Sequence, residues 1–187
     1  MASSSHLSAD DWALAALEVI ALRGLEGLRV EGLARHLGVT KGSFYWHFTD
    51  RSKLVEAALH LWEQRGTIDV IAQLETLDHP TDQLRSLFDA SFGDEAHGLV
   101  DVAMVARADD PTVGLVVSRV TETRIAFLDR LFRALGFTPA KAAVRARVAY
   151  STYIGHFLVR RSLPGDAILV THTNAYRRQL LELLSAD

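Results

Sequence analysis

Residues 38–51, Gly38-Val39-Thr40-Lys41-Gly42-Ser43-Phe44-Tyr45-Trp46-His47-Phe48-Thr49-Asp50-Arg51, concentrate the groups with chemical potential in this chain. Four of the six residues from Ser43 to Phe48 are aromatic, and His47 adds a flat polar ring. A buried helix does not keep Tyr45, Trp46 and His47 in a row beside Lys41 and Arg51. Phe44 and Phe48 lie four apart and so share one helix face as apolar anchors. Opposite Phe44 stand Gly42, Ser43 and Trp46, with Tyr45 and His47 on the flanks. These groups donate hydrogen bonds, lie flat on sugar-phosphate or, at Gly42, let backbone approach closely. That chemistry suits a DNA groove.

The elements needed to present such a face precede it. Val30 to Leu37 reads as a short helix with Val30, Leu33, Ala34 and Leu37 inward. Gly38 ends it where positive φ is wanted, Val39 plugs the corner, and Thr40 suits the N-cap of the next helix. Two short helices joined by a tight turn containing Gly form a helix-turn-helix, here at about residues 29–48, whose second helix enters the major groove. The alternative is a plain corner in a helical core. Local charge opposes it: Arg35, Lys41, Arg51 and Lys53 face only Asp50 between residues 35 and 53, a formal +3.

Leu33-Ala34, the run from Gly38 to Phe48, Asp50-Arg51 and Leu54 together resemble the signature of the TetR family of bacterial repressors. The resemblance reaches upstream to Ala15-Ala16-Leu17 and Arg23-Gly24 and covers about the first 65 residues; beyond them only a general helical plan is similar. It implies that Tyr45, His47 and Arg51 hold phosphates, and that Thr40, Lys41, Ser43 and Trp46 sit at or near base edges. Arg29 departs from the pattern, since the family often has Thr or Ser capping the second helix there. The lost cap costs about 1 kcal/mol locally, and Arg29 is expected to serve instead as a phosphate contact. The resemblance further implies an inverted-repeat operator, a homodimer joined through the last two helices, and a small-molecule effector. It also implies that the fourth helix, by moving, changes the separation of two DNA-reading heads.

Composition fits a bacterial cytoplasmic regulator. There is no Cys among the 187 residues, which excludes a disulfide framework, a thiolate nucleophile and a Cys-based zinc site. Residues 1–6 lack the basic start of a signal peptide, and no apolar run approaches the ~18 residues of a membrane span. No membrane association and no cofactor are expected. The net charge of −3 is unevenly spread: residues 1–65 carry −1, residues 66–135 carry −6 and residues 136–187 carry +4. A locally basic face binds phosphate while a distant acidic segment maintains solubility.

Periodicity predicts an all-α chain of about nine helices without sheet. The expected division is a three-helix helix-turn-helix domain over 1–50 and a helical effector-binding and dimerisation bundle over 51–187. Ser8 to Asp11 starts the first helix, with Trp12, Ala16, Val19 and Ile20 as its stripe to Gly24. Asp50 caps a fourth helix carrying Leu54, Ala58, Leu61 and Trp62, and running past Gly66 towards Leu77. Pro80 opens the next; Gly93 and Gly98 bracket a break before a helix from Leu99 to Ala108. Asp110-Pro111 and Thr138-Pro139 open two long helices, and the last covers roughly Asp166 to Leu184.

Trp62, Phe88, Phe92, Met104, Thr123, Phe127, Tyr153 and His156 are the candidates for an effector cavity, which they would make largely apolar. Each is equally at home in a core, and His156 reads as a satisfied core histidine. His97 and Asp101, four apart, are two metal-capable ligands, too few for a site; a solvated helix face is the simpler account. Ala146, Ala149 and Gly155 are small positions that allow close helix approach across a two-fold axis. Two other classes compete with a ligand-released repressor: a ligand-independent DNA-binding module, and a helical-bundle enzyme. No catalytic motif supports the enzyme, and the expected catalytic and metal sets are empty.

Overall fold

The computed structural model describes residues 7–166 and 173–185, and every regular element among them is helical. The order is α1 (Ala9–Gly27), α2 (Val30–His36), α3 (Lys41–Tyr45) and α4 (Arg51–Glu63), then a π-helical turn (Gln64–Ile68) leading straight into α5 (Asp69–Leu74). There follow α6 (Pro80–Gly93), α7 (Glu95–Val105), α8 (Pro111–Ala134), α9 (Pro139–Ser162) and α10 (Thr173–Ser185). Helix α4, the π-turn and α5 form one continuous helical course past Gly66, as expected, ending at Leu74. Local chemistry explains the starts. Ser8 and Asp11 make a reciprocal capping box on α1; Asp50, Asp94, Asp110 and Thr138 cap α4, α7, α8 and α9.

Two boundaries differ from expectation. Helix α1 does not stop at Gly24 but breaks there, at φ 73°, and resumes to Gly27. Arginines hold both segments: Arg107 donates to the carbonyls of Ile20 (2.8 Å) and Ala21 (3.1 Å), and Arg51 donates to those of Leu25 and Leu28. Helix α7 begins at Glu95 rather than Leu99, because Asp94 accepts from the His97 amide at 3.0 Å. Gly98 is therefore no break. It lies inside α7, where a Cβ would fall within the ring of Phe157. The expected last helix starts within residues that lie partly outside the described ones; its described part is α10.

Two apolar clusters fill the structure. One holds Trp12, Ile20, Phe44, Leu54 and Trp62 together with Met104, Val113, Val117 and Val120, so α1–α4 share a core with α7 and α8. The other gathers Phe88, Phe92, Phe127, Phe132, Ala146 and Ala149 from α6, α8 and α9. The packing thus runs without interruption across residue 50, through α4.

Gly98→Ala should destabilise the chain by about 2 kcal/mol, because the fully buried Phe157 ring has to leave its rotamer. Urea unfolding of the variant checks this; an unchanged midpoint would mean that α7 and α9 are not packed this closely.

Candidate functional site

The turn between α2 and α3 forms as its residues require. Gly38 has φ 70°, and the Val39 amide donates back to Ala34 at 2.9 Å. Phe44 is buried edge-on against Trp12, ring centres 5.5 Å apart, and stacks on Phe48 at 5.6 Å. Anchored there, α3 turns its other side outward: Tyr45 is 57% and Trp46 86% exposed. Trp46 therefore takes almost no part in the core of the chain. A Cβ on Gly42 would meet only the Thr40 hydroxyl, at 3.6 Å, which leaves this backbone open to close approach. Thr40 is the N-cap residue, yet its side chain makes no cap bond. Ser43 and His47 are half-buried at the edges of this face.

Three of the basic residues, Lys41, Arg51 and Lys53, are engaged already. Lys41 pairs with Glu31 from the start of α2, and Lys53 with Glu56. The hydrogen bond to Glu31 raises the Lys41 ammonium above its ordinary value, and the same bond lowers Glu31. Such exposed pairs exchange readily for phosphate. Arg51 faces partly inward, onto the carbonyls of α1, which gives it a structural share that sequence alone did not reveal. Arg29 is exposed and, as expected, makes no side-chain cap on α2.

The second site is a cavity of ≈ 220 Å³ between the π-turn, α5, α6, α7, α8 and α9. Its walls are apolar, and one end is a buried charge network. Asp101, 1% exposed, accepts from Trp62 Nε1 (2.7 Å), Tyr153 Oη (2.7 Å) and Arg124 Nη1 (2.5 Å). Arg124 also donates to the Thr67 hydroxyl (2.9 Å) and to the Gly66 carbonyl in the π-turn (3.0 Å). Burial pushes the Asp101 carboxyl up, but the charge of Arg124 and the hydrogen bonds outweigh it and hold the group below the ordinary carboxylate range. Arg124 stays firmly charged, since Asp101 outweighs the penalty of its own burial. Burial and the neighbouring Asp101 charge push the Tyr153 hydroxyl upward. His97 lies beside the pair, its Nε2 3.7 Å from Asp101.

Of the sequence candidates, Phe88, Phe92, Phe127 and Tyr153 line this cavity together. Trp62 stands behind Asp101 rather than in the wall; Met104 is fully buried in the first core, and Thr123 bonds to the Arg119 carbonyl. His156 is in the core, as expected, but among the described residues neither ring nitrogen has a hydrogen-bond partner, and the ring stacks on Tyr176 at 5.3 Å. Burial, then the charge of Arg160, lowers its pKa. Asp101 is not on a solvated face: it points inward, where Trp62, Arg124 and Tyr153 pair with it. Ala146 and Ala149 also face the chain's own core, at 0% and 3% exposure, whereas among the described residues nothing lies within 4 Å of a Cβ on Gly155. At 100° per residue the two alanines sit on the side of α9 opposite Gly155. Arg124, Thr67 and Gly66 were missed. The available signal was the place of Arg124 in the inward stripe of α8, between Val120 and Phe127.

The sequence model of the bacterial regulatory proteins, tetR family, matches residues 14–58, from α1 through the helix-turn-helix into α4. TtgW of Pseudomonas putida, an uncharacterized HTH-type transcriptional regulator, is 30% identical over 109 residues, 51% of this chain and 81% of TtgW. SrpR of Pseudomonas putida, an HTH-type transcriptional regulator, is 23% identical over 143 residues, 76% of this chain and 66% of SrpR, just under two thirds of that relative. The crystal structure of a TetR-family regulator from Agrobacterium tumefaciens superposes with a TM-score of 0.75 at 24% identity, over 95% of this chain and 97% of that one. The chain belongs to the tetR family of bacterial regulatory proteins. It is a DNA-binding transcriptional regulator, and its helix-turn-helix is the face just described.

Asp101→Asn should cost roughly 3–5 kcal/mol by leaving the Arg124 charge buried without its counterion, and Asp101→Leu with Arg124→Met should recover most of the loss. The folded carboxyl titrates below its unfolded value, so the contribution of the pair is complete above about pH 4 and lost as pH falls through the depressed value. Urea midpoints measured from neutral pH downward should show this acid-side loss in the wild type and not in the double variant.

Proposed function

We propose that this regulator is a homodimeric repressor, released from an inverted-repeat operator when a small, largely apolar molecule enters the cavity. The observation that carries this reading is the course of α4. Its Asp50-capped start adjoins the DNA-reading helix, and its π-turn end supplies Gly66 and Thr67 to the charge network at the cavity. A ligand that binds one arrangement of this element better than another shifts the population of head orientations. π-Turns within helices are frequent at functional sites, where they re-aim backbone groups. Full hydrogen bonding of Asp101 favours binding over catalysis, as a saturated carboxylate is a poor general base. No helix among the described residues is long and apolar enough to cross a membrane. A bacterial repressor works at its operator, and so in the cytoplasm.

The outer face of α9 supports the dimer. Val144, Val148 and Leu158 are 62%, 48% and 52% exposed, on the same side as the open Gly155. An apolar stripe of this kind on a single chain is suited to an isologous interface. Two heads joined in this way read half-sites about one helical turn apart, ~34–36 Å.

Fluorescence anisotropy with the DNA upstream of the gene tests the operator reading. Lys41→Ala should weaken binding and relax sequence choice. Arg51→Ala should weaken it uniformly, flatten the salt dependence by about one phosphate, and also lower the melting temperature, because the Leu25 and Leu28 carbonyls lose their donor. Wild-type binding by both variants in low and moderate salt would place the DNA face elsewhere.

Gly155→Glu should yield a folded monomer with lost operator binding. Sedimentation with circular dichroism reads both; a dimer that persists would remove α9 from the interface.

A further inference from the structure

The charged side chains that line the cavity are all engaged. Arg65 donates to Asp10 at 2.7 Å, Asp94 caps α7, and Asp101 with Arg124 closes on itself and on Trp62, Thr67 and Tyr153. A carboxylate placed in the cavity would gain Arg124 but meet Asp101; an ammonium group would gain Asp101 but meet Arg124. Beside that pair either would give up hydration without gaining a free counterion, a cost that an uncharged group does not carry. The site selects against charge.

His97 is the exception among the titratable lining groups. Its imidazole is one-third exposed, rests flush on Gly66, where a Cβ would lie 2.6 Å from its Cε1 and Nε2, and stands 3.7 Å from Asp101, too far for a direct hydrogen bond. A neutral imidazole carries one donor and one acceptor and so meets either a hydroxyl or a carbonyl. The rest of the wall is mainly apolar, from Val70, Ile71, Leu87, Phe88, Phe127 and Leu128 among others; of its hydroxyls, Tyr150 is paired with Thr121 and Tyr153 with Asp101, and Ser91 is the small one. Size narrows the class further. A dry cavity of about 150 Å³ holds benzene, and sites for drug-sized molecules begin near roughly 300 Å³. This one, at ≈ 220 Å³, fits a single ring with a short substituent.

We propose that the cavity takes an uncharged single-ring molecule with one hydroxyl or carbonyl group, held by His97. The inference rests on the reading of the chain as a ligand-responsive regulator and adds the chemistry of the ligand and its anchoring residue. Isothermal titration calorimetry at neutral pH with 4-methylphenol and acetophenone tests it, against benzoate and benzylammonium of matching shape and the two-ring 4-phenylphenol. Both neutral single-ring probes should bind. His97→Phe, which keeps a ring on Gly66 but removes the hydrogen bond, should weaken them about tenfold, and Leu87→Trp should abolish binding by filling the cavity. Equal or tighter binding of benzoate, benzylammonium or 4-phenylphenol, no binding of the neutral probes, or an unchanged affinity in His97→Phe would overturn the proposal. Operator release is measured in parallel. Neutral probes that bind through His97 without releasing DNA would leave the ligand class standing and remove the repressor reading. Release driven only by charged or larger molecules would do the reverse.

Discussion

The buried pair of Asp101 and Arg124 constrains more of this structure than any other interaction. Two charges withdrawn from water are tolerated only if nearly every lone pair and N–H finds a partner. Here the partners come from four places: Trp62 at the end of α4, Gly66 and Thr67 in the π-turn, Arg124 itself on α8, and Tyr153 on α9. None of these elements can shift alone without leaving a buried polar group unpaired. The π-turn belongs to this account. Its widened backbone brings the Gly66 carbonyl to the guanidinium, and the absent Cβ leaves room for the His97 ring. The apolar cavity is then the space left where side chains surrounding a rigid polar cluster cannot also converge.

The same principle joins the helix-turn-helix to the rest. Breaking α1 at Gly24 leaves carbonyls without helical partners, and two arginines from outside the helix take them. Arg107 follows α7, the helix that carries Asp101, and Arg51 opens α4, the helix that carries Trp62. Each segment of α1 is therefore held by an element that also reaches the charge network. Shared apolar packing across residue 50 couples the helix-turn-helix to the rest through α4.

The helix-turn-helix was legible in the sequence because its evidence is local. Gly38, Thr40, Phe44 and Phe48 act on neighbours within a few residues, and periodicity alone separates the anchors from the exposed Tyr45 and Trp46. The long helices were legible for the same reason, from Asp110-Pro111 and Thr138-Pro139. What escaped depends on pairing at a distance. Nothing within α8 tells whether Arg124 faces water or Asp101, 23 residues away, and nothing within α7 separates a break at Gly98 from a close approach by Phe157. The small residues of α9 show the limit clearly: Ala146 and Gly155 look alike as a composition, but they lie on opposite faces, one in the core and one open.

The two sites use charge in opposite ways, and this decides what each can recognise. On the helix-turn-helix and at the start of α4, Lys41 and Lys53 hold their carboxylates in water, where an exposed pair is worth at most about 1 kcal/mol. A phosphate displaces such a partner at little cost, so that face stays open to a polyanion. In the cavity the Asp101–Arg124 pair is dry, and the cost of opening it is several kcal/mol. A small molecule that contributes one or two hydrogen bonds cannot recover that cost. On the proposed reading it would bind beside the intact pair, and its effect on α4 would come through displacement of the apolar wall and of His97, with the charge network moving as a unit.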